Sequence, residues 1–329
     1  MHSASPLILA AALAAGPASN RDAPPFRLQF PLDCQPGRTC FIQQYFDHDP
    51  GPAVKDYRCG TMSYEGHDGT DFRVPTMAAQ RAGVSVLAAA DGVVTATRDG
   101  MDDISVAVTG SAAVAGRECG NGVMINHPGG WQTQYCHLAK GSVKVRPGQV
   151  VKSGAALGRV GESGDAAFPH LHLNVFEDGK RIDPFAYGAP AGSCNTGTSL
   201  WTGPTAAALA YHSPDLINQG FADGPVTQQD IEEGRAGARV PTPASAAVVA
   251  YVRAIGLQAG DVLELRMTEP GGRTASASPS ILDHDKAQWM MFAGVKRPAA
   301  GWPRGDYGAR FTVRRGATVV MDRAFTLRL

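Results

Sequence analysis

From His170 to Val175 the chain alternates between polar and apolar side chains, reading His170-Leu171-His172-Leu173-Asn174-Val175 after Pro169. A period of two predicts a strand, because successive side chains leave a pleated backbone on opposite faces. Leu171, Leu173 and Val175 can enter a core from one face. That sets the imidazoles of His170 and His172 side by side on the other. Adjacent imidazoles need partners and repel when protonated. A metal ion answers both demands, since neutral imidazole is a common metal ligand. A His-x-His pair alone is equally compatible with an exposed strand face.

Two further stretches decide between these. Upstream lies Gly66-His67-Asp68-Gly69-Thr70-Asp71-Phe72. Its glycines predict a turn running into a strand Phe72-Arg73-Val74. His67, Asp71 and one histidine of the later pair supply nitrogen, oxygen and nitrogen. Three protein ligands with a fourth position open are the pattern of catalytic rather than structural zinc. Between the two stretches comes Tyr135-Cys136-His137-Leu138, a third source of imidazole.

In this order the three stretches resemble the lysostaphin-like (LytM-like, beta-lytic) zinc endopeptidases of peptidoglycan. The resemblance runs from Gly60 to Phe185 and includes the spacers Asp91-Gly92-Val93-Val94, Gly122 to His127, Val145 to Gly154 and Leu157 to Gly161. It implies an all-β, antiparallel catalytic sheet of the duplicated hybrid motif type. It implies zinc (Zn2+) held by His67, Asp71 and His172, with His137 and His170 as an acid/base pair. The substrate it implies is the peptide cross-links of peptidoglycan. One departure is visible: the family often has Phe-Glu after its His-x-His, where this chain has Leu173-Asn174. The helical metallopeptidase motif His-Glu-x-x-His is missing, so a histidine must do the work of the usual carboxylate base. A catalytically inactive relative that binds the wall or activates an amidase would be expected to lack ligands, and all five site residues are present.

Thirty basic and thirty acidic residues leave a formal net charge of zero, which favours neither nucleic acid nor an anionic membrane as partner. Residues Pro6 to Ala15 form an apolar run of signal-peptide length, although without Lys or Arg before it; residues 1–22 are read as an export signal. No segment reaches membrane-spanning length. Six cysteines fit an oxidising, periplasmic or secreted destination. Their spacing suggests Cys34 with Cys40 around a turn and Cys119 with Cys136 across the turn Pro128-Gly129-Gly130, with Cys59 and Cys194 as the remainder.

The expected plan is a lead-in at 23–60, a catalytic domain at 61–190, a linker at 191–198 and a C-terminal domain at 199–329. The short lead-in predicts no large inhibitory prodomain, and its Asp47-His48-Asp49 cluster is expected in a solvated loop. Arg98 to Glu118 reads as a hairpin or long loop on the rim, a place where substrate choice is often set. Arg146 to Val160 also resembles half of a lipoyl or biotinyl carrier, but the chain runs on to the histidine pair instead of presenting a tip lysine. Tyr64, close to His67, is expected in the core, the alternative being a hydroxyl contributed to the site, and His127 as structural or exposed. After Ser199, runs such as Val248 to Val252, Val262 to Met267 and Ala309 to Val313 predict an antiparallel β-sandwich, immunoglobulin-like in class. Glu232 to Pro243 is expected as an exposed loop.

Overall fold

The alternation at His170–Val175 becomes the middle of an antiparallel sheet. The structure is a computed structural model that describes residues 26–329; the expected export signal lies outside the described residues. The strands of the N-terminal half are β1 (Phe41–Gln44), β2 (Thr70–Arg73), β3 (Ser85–Leu87), β4 (Gly92–Arg98), β5 (Asn121–Asn126), β6 (Trp131–Leu138), β7 (Val150–Val151), β8 (Ala156–Arg159), β9 (His170–Glu177) and β10 (Lys180–Ile182). Eight of them form one sheet in the order β1-β2-β9-β6-β5-β4-β7, with β10 also on β9; β3 and β8 pair separately. Strand β9 has β6 on one side, while β2 and β10 share its other edge. Its Leu171, Leu173 and Val175 are fully buried beside Phe72, Ile125 and Tyr135. Each such aliphatic side chain contributes roughly 1.5–3 kcal/mol through burial. The expected antiparallel sheet is thus present.

Three local expectations change. Asp71 is inside β2, not in a turn before it, because β9 pairs with the chain from Thr70 onward. After helix α1 (Met77–Ala82), the hairpin or long loop expected at 98–118 narrows to the long loop, carrying a short helix α2 (Val106–Thr109) and a 3-10 turn (Ser111–Val114). Ser105 caps α2 by accepting the Ala107 N–H, a favourable helix start that the glycine-rich pattern obscures. Asp47 is buried rather than solvated: its carboxylate accepts the N–H groups of Asp49, Lys55 and Gly66. The lead-in also donates Leu28, Leu32, Phe41 and Tyr45 to the core, and β1 pairs with β2.

Beyond helix α3 (Gly203–Ala208), the C-terminal half contains β11 (Asp215–Ala222), β12 (Ala247–Leu257), β13 (Val262–Thr268), β14 (Thr274–Ile281), β15 (Lys286–Lys296), β16 (Asp306–Arg315) and β17 (Thr318–Arg328). Sheets β11-β12-β15 and β14-β13-β16-β17 face one another over Val248, Val252, Leu263, Leu265, Phe311 and Val313. This is the expected sandwich, with seven strands in immunoglobulin-like array. The first two residues of the segment expected as a loop, Glu232 and Glu233, instead end helix α4 (Gln228–Glu233), which a reciprocal Thr227/Asp230 capping box opens and Gly234 closes.

The halves share more than a connection. Leu200, Trp201, Leu209, Ile217 and Ile255 belong to the N-terminal core cluster. Buried Arg253 donates to the Pro75 carbonyl, just beyond β2, and to Asn218 Oδ1 at 2.8 Å. All six cysteines are paired as their spacing suggests, Cys34–Cys40, Cys59–Cys194 and Cys119–Cys136. Among the described residues, no helix is long and apolar enough to cross a membrane.

Candidate metal centre and active site

Register brings the site together. Asp71 lies opposite His172, and His172 opposite Cys136, across three neighbouring strands. Directly opposed residues of antiparallel strands point to the same face. Asp71 and His172 therefore meet, and the turn before β2 swings His67 in beside them. Gly69 is required in that turn, because a Cβ there would stand 2.6 Å from His172 Nε2 and 2.7 Å from the Leu173 carbonyl. His137 has φ of 62°, a left-handed conformation that favours glycine. Its N–H donates to the Cys119 carbonyl at 2.8 Å and its own carbonyl accepts from Gly161 N at 2.9 Å. Non-glycine residues held this way concentrate at functional sites.

His67 Nε2 lies 3.2 Å from Asp71 Oδ1 and 3.2 Å from His172 Nδ1, and His172 Nδ1 lies 2.9 Å from Asp71 Oδ1. A tetrahedron with bonds of about 2.0–2.1 Å, typical of zinc with nitrogen and oxygen ligands, has edges of about 3.3–3.4 Å. The triangle is near that size. Tautomers agree, since a carbonyl can only accept. His67 Nδ1 donates to the Tyr45 carbonyl at 2.6 Å, which leaves Nε2 with a lone pair toward the centre. The donor set fits a divalent metal such as zinc.

His137 and His170 stand beside this triangle, their ring centroids 4.6 Å apart. Each donates Nδ1–H to a backbone carbonyl, of Ser163 at 2.7 Å and of Phe168 at 2.8 Å, so each has Nε2 available for proton traffic. His170 Nε2 is also 3.5 Å from Asp71 Oδ1. Burial, reinforced by the neighbouring His170 and His172, holds His137 well below the usual histidine range. Burial likewise lowers His170, against the pull of Asp71. Burial would raise Asp71, but His67, His170 and the hydrogen bond from His172 outweigh it and leave the carboxyl well below its usual range. For His172 burial is overridden by Asp68 and Asp71, which push it up to about 9.

The site opens into a cleft of about 330 Å³ lined by Tyr64, Asp68, Glu118, Gln134, Asp165 and Arg181. Gln134 and Cys119 are shared with a second depression of about 240 Å³ reaching Arg98 and Met124. Tyr64, expected in the core, is 48% exposed, with its ring 4.5 Å from that of His67. His127 is structural: Nδ1 donates to the Asp91 carbonyl and Nε2 meets Thr133 Oγ1. The sequence reasoning missed Asp68 and Arg181 on the cleft wall. Asp68 could have been suspected from its place between His67 and Asp71.

The antiparallel sheet thus presents a His/Asp/His group that could hold a metal ion, with two more imidazoles beside it. Residues 65–184 match the model of Peptidase family M23. It is 31% identical over 127 residues to the peptidoglycan DD-endopeptidase ShyA of Vibrio cholerae, covering 39% of this chain and 24% of that one. It is 31% identical over 126 residues to the DD-carboxypeptidase/endopeptidase Mpg of Neisseria meningitidis, covering 38% and 23%. The chain thus spans about a quarter of the length of these curated relatives. A zinc-containing peptidase from Vibrio cholerae of known structure is 25% identical, with TM-score 0.30, over 45% of this chain and 41% of that one.

Proposed function

We propose that the chain is an exported, zinc-dependent endopeptidase that hydrolyses peptide cross-links of peptidoglycan, acting in the periplasm or after secretion. The observation that carries the proposal is the triangle of His67 Nε2, Asp71 Oδ1 and His172 Nδ1 with two further imidazoles at its side. Zinc in that triangle would polarise the scissile carbonyl and acidify water. His137 and His170 then divide the proton work: one Nε2 accepts the proton of the attacking water, and the other donates to the leaving amine or the developing oxyanion. Their backbone acceptors fix both rings before substrate arrives. The open cleft and its continuation past Gln134 suit an extended, small-side-chain peptide better than a deep side-chain pocket would. Three disulfides and the apolar run at residues 6–15 support export.

The test is metal dependence. Excess chelator should abolish hydrolysis of purified peptidoglycan, and added zinc should restore it in proportion to bound metal. A folded protein that binds one zinc and leaves every wall preparation intact would instead support a binding role.

A further inference from the structure

We infer that Asp68 is a positioning residue for the metal ligand His172, and that Asn174 and Arg181 hold it in place. The inference rests on the metal-binding reading of His67, Asp71 and His172. Since His172 turns Nδ1 toward His67 and Asp71, the hydrogen of the neutral ring sits on Nε2. Asp68 Oδ1 lies 3.4 Å from that atom. A carboxylate on the far nitrogen of a ligating histidine fixes its tautomer and ring orientation and strengthens it as a donor. Asp68 is itself fastened from two strands. Asn174 Nδ2 donates to its Oδ1 and to its main-chain carbonyl, both at 2.8 Å. Arg181 Nε, from β10, contacts Oδ2 at 2.8 Å. The Arg181 guanidinium is steadied over the Phe176 ring, 5.6 Å from its centroid.

Asn174 is buried on the same face of β9 as His172. One strand therefore supplies both the ligand and the amide that orients the ligand's partner. This gives a physical meaning to Asn174, which stands where lysostaphin-like sequences often have glutamate. A glutamate at 174 has no N–H to donate, and it would set a second negative charge against the Asp68 carboxylate and carbonyl. In this chain the amide, not the acid, is what Asp68 requires.

The experiment measures zinc affinity of the metal-stripped full chain by competition with a chromogenic chelator, with circular dichroism and a thermal melt on each variant. Asp68→Ala should weaken zinc binding about tenfold to a hundredfold without loss of fold, and Asp68→Asn should weaken it less. Asn174→Glu should also weaken it, although it introduces the residue common in similar proteins. If Asp68→Ala does not fold, Asp68→Asn and Asn174→Glu decide. Wild-type affinity in folded Asp68→Ala, or in both of the other two, would overturn the inference. Failure of the wild-type chain itself to bind zinc would reject the metal reading on which it rests.

Discussion

The three disulfides should differ in what they do for stability and for turnover, and the two orders should not coincide. They close loops with sequence separations of 6, 135 and 17 residues for Cys34–Cys40, Cys59–Cys194 and Cys119–Cys136. Restricting the unfolded chain gives roughly 2, 5 and 3 kcal/mol for loops of these lengths. Replacing each pair by serine should therefore lower the free energy of unfolding most for Cys59/Cys194 and least for Cys34/Cys40. Turnover should follow geometry instead. Cys136 precedes His137, whose left-handed backbone is held by the Cys119 carbonyl. Opening Cys119–Cys136 frees that carbonyl to move and lets His137 relax toward an ordinary strand conformation. Equilibrium guanidinium unfolding and peptidoglycan turnover on the three variants make the comparison. Turnover should fall at least about tenfold only for Cys119/Cys136, since small misplacement of a catalytic group costs that much or more. The reasoning fails if stability losses ignore loop length, or if the Cys119/Cys136 variant turns over at the wild-type rate.

Other outcomes follow from the site and the core. His67→Ala, Asp71→Ala and His172→Ala should lose both bound zinc and hydrolysis, whereas His137→Ala and His170→Ala should keep zinc and lose hydrolysis; metal analysis beside turnover checks this. Release of zinc by His170→Ala but not by His172→Ala would reverse the assignment within the pair. Burial holds the His127 pKa below its ordinary value, so the folded state disfavours its protonated form. Its contribution to stability is complete above the unfolded value of about 6.5 and is lost as pH falls below it. Thermal melts from pH 7.5 to 5 should fall less steeply for His127→Gln than for wild type, and parallel curves would remove His127 as a cause.

The strand that carries two of the candidate site histidines was legible because strand alternation is local. His170 to Val175 shows its buried and polar faces in the order of its residues, and β9 follows. The spacing of cysteines around turns was likewise enough to pair Cys34 with Cys40 and Cys119 with Cys136, which left Cys59 for Cys194. What escaped depended on distant partners or on weak patterns. Strand β14, Thr-Ala-Ser-Ala-Ser-Pro-Ser-Ile, is an edge strand of small side chains, and its Pro279 is tolerable only at such an edge. Helix α2 is four residues long among glycines, too short for helical periodicity to register. Asp68 reaches Asn174 across 106 positions, a pairing invisible until β2 and β9 align. Leu200 and Trp201, read as the start of a second domain, pack into the first because Leu28 pairs with them.

Cross-link hydrolysis itself is tested most directly by incubating the mature protein with purified peptidoglycan and identifying the released fragments by mass spectrometry. Cross-linked dimers should fall to monomers, with glycan strands and the sugar-to-peptide amide intact, and chelator should stop the conversion until zinc is returned. Cleaved sugar linkages, release of whole stem peptides, or full activity in excess chelator with no bound metal would contradict it.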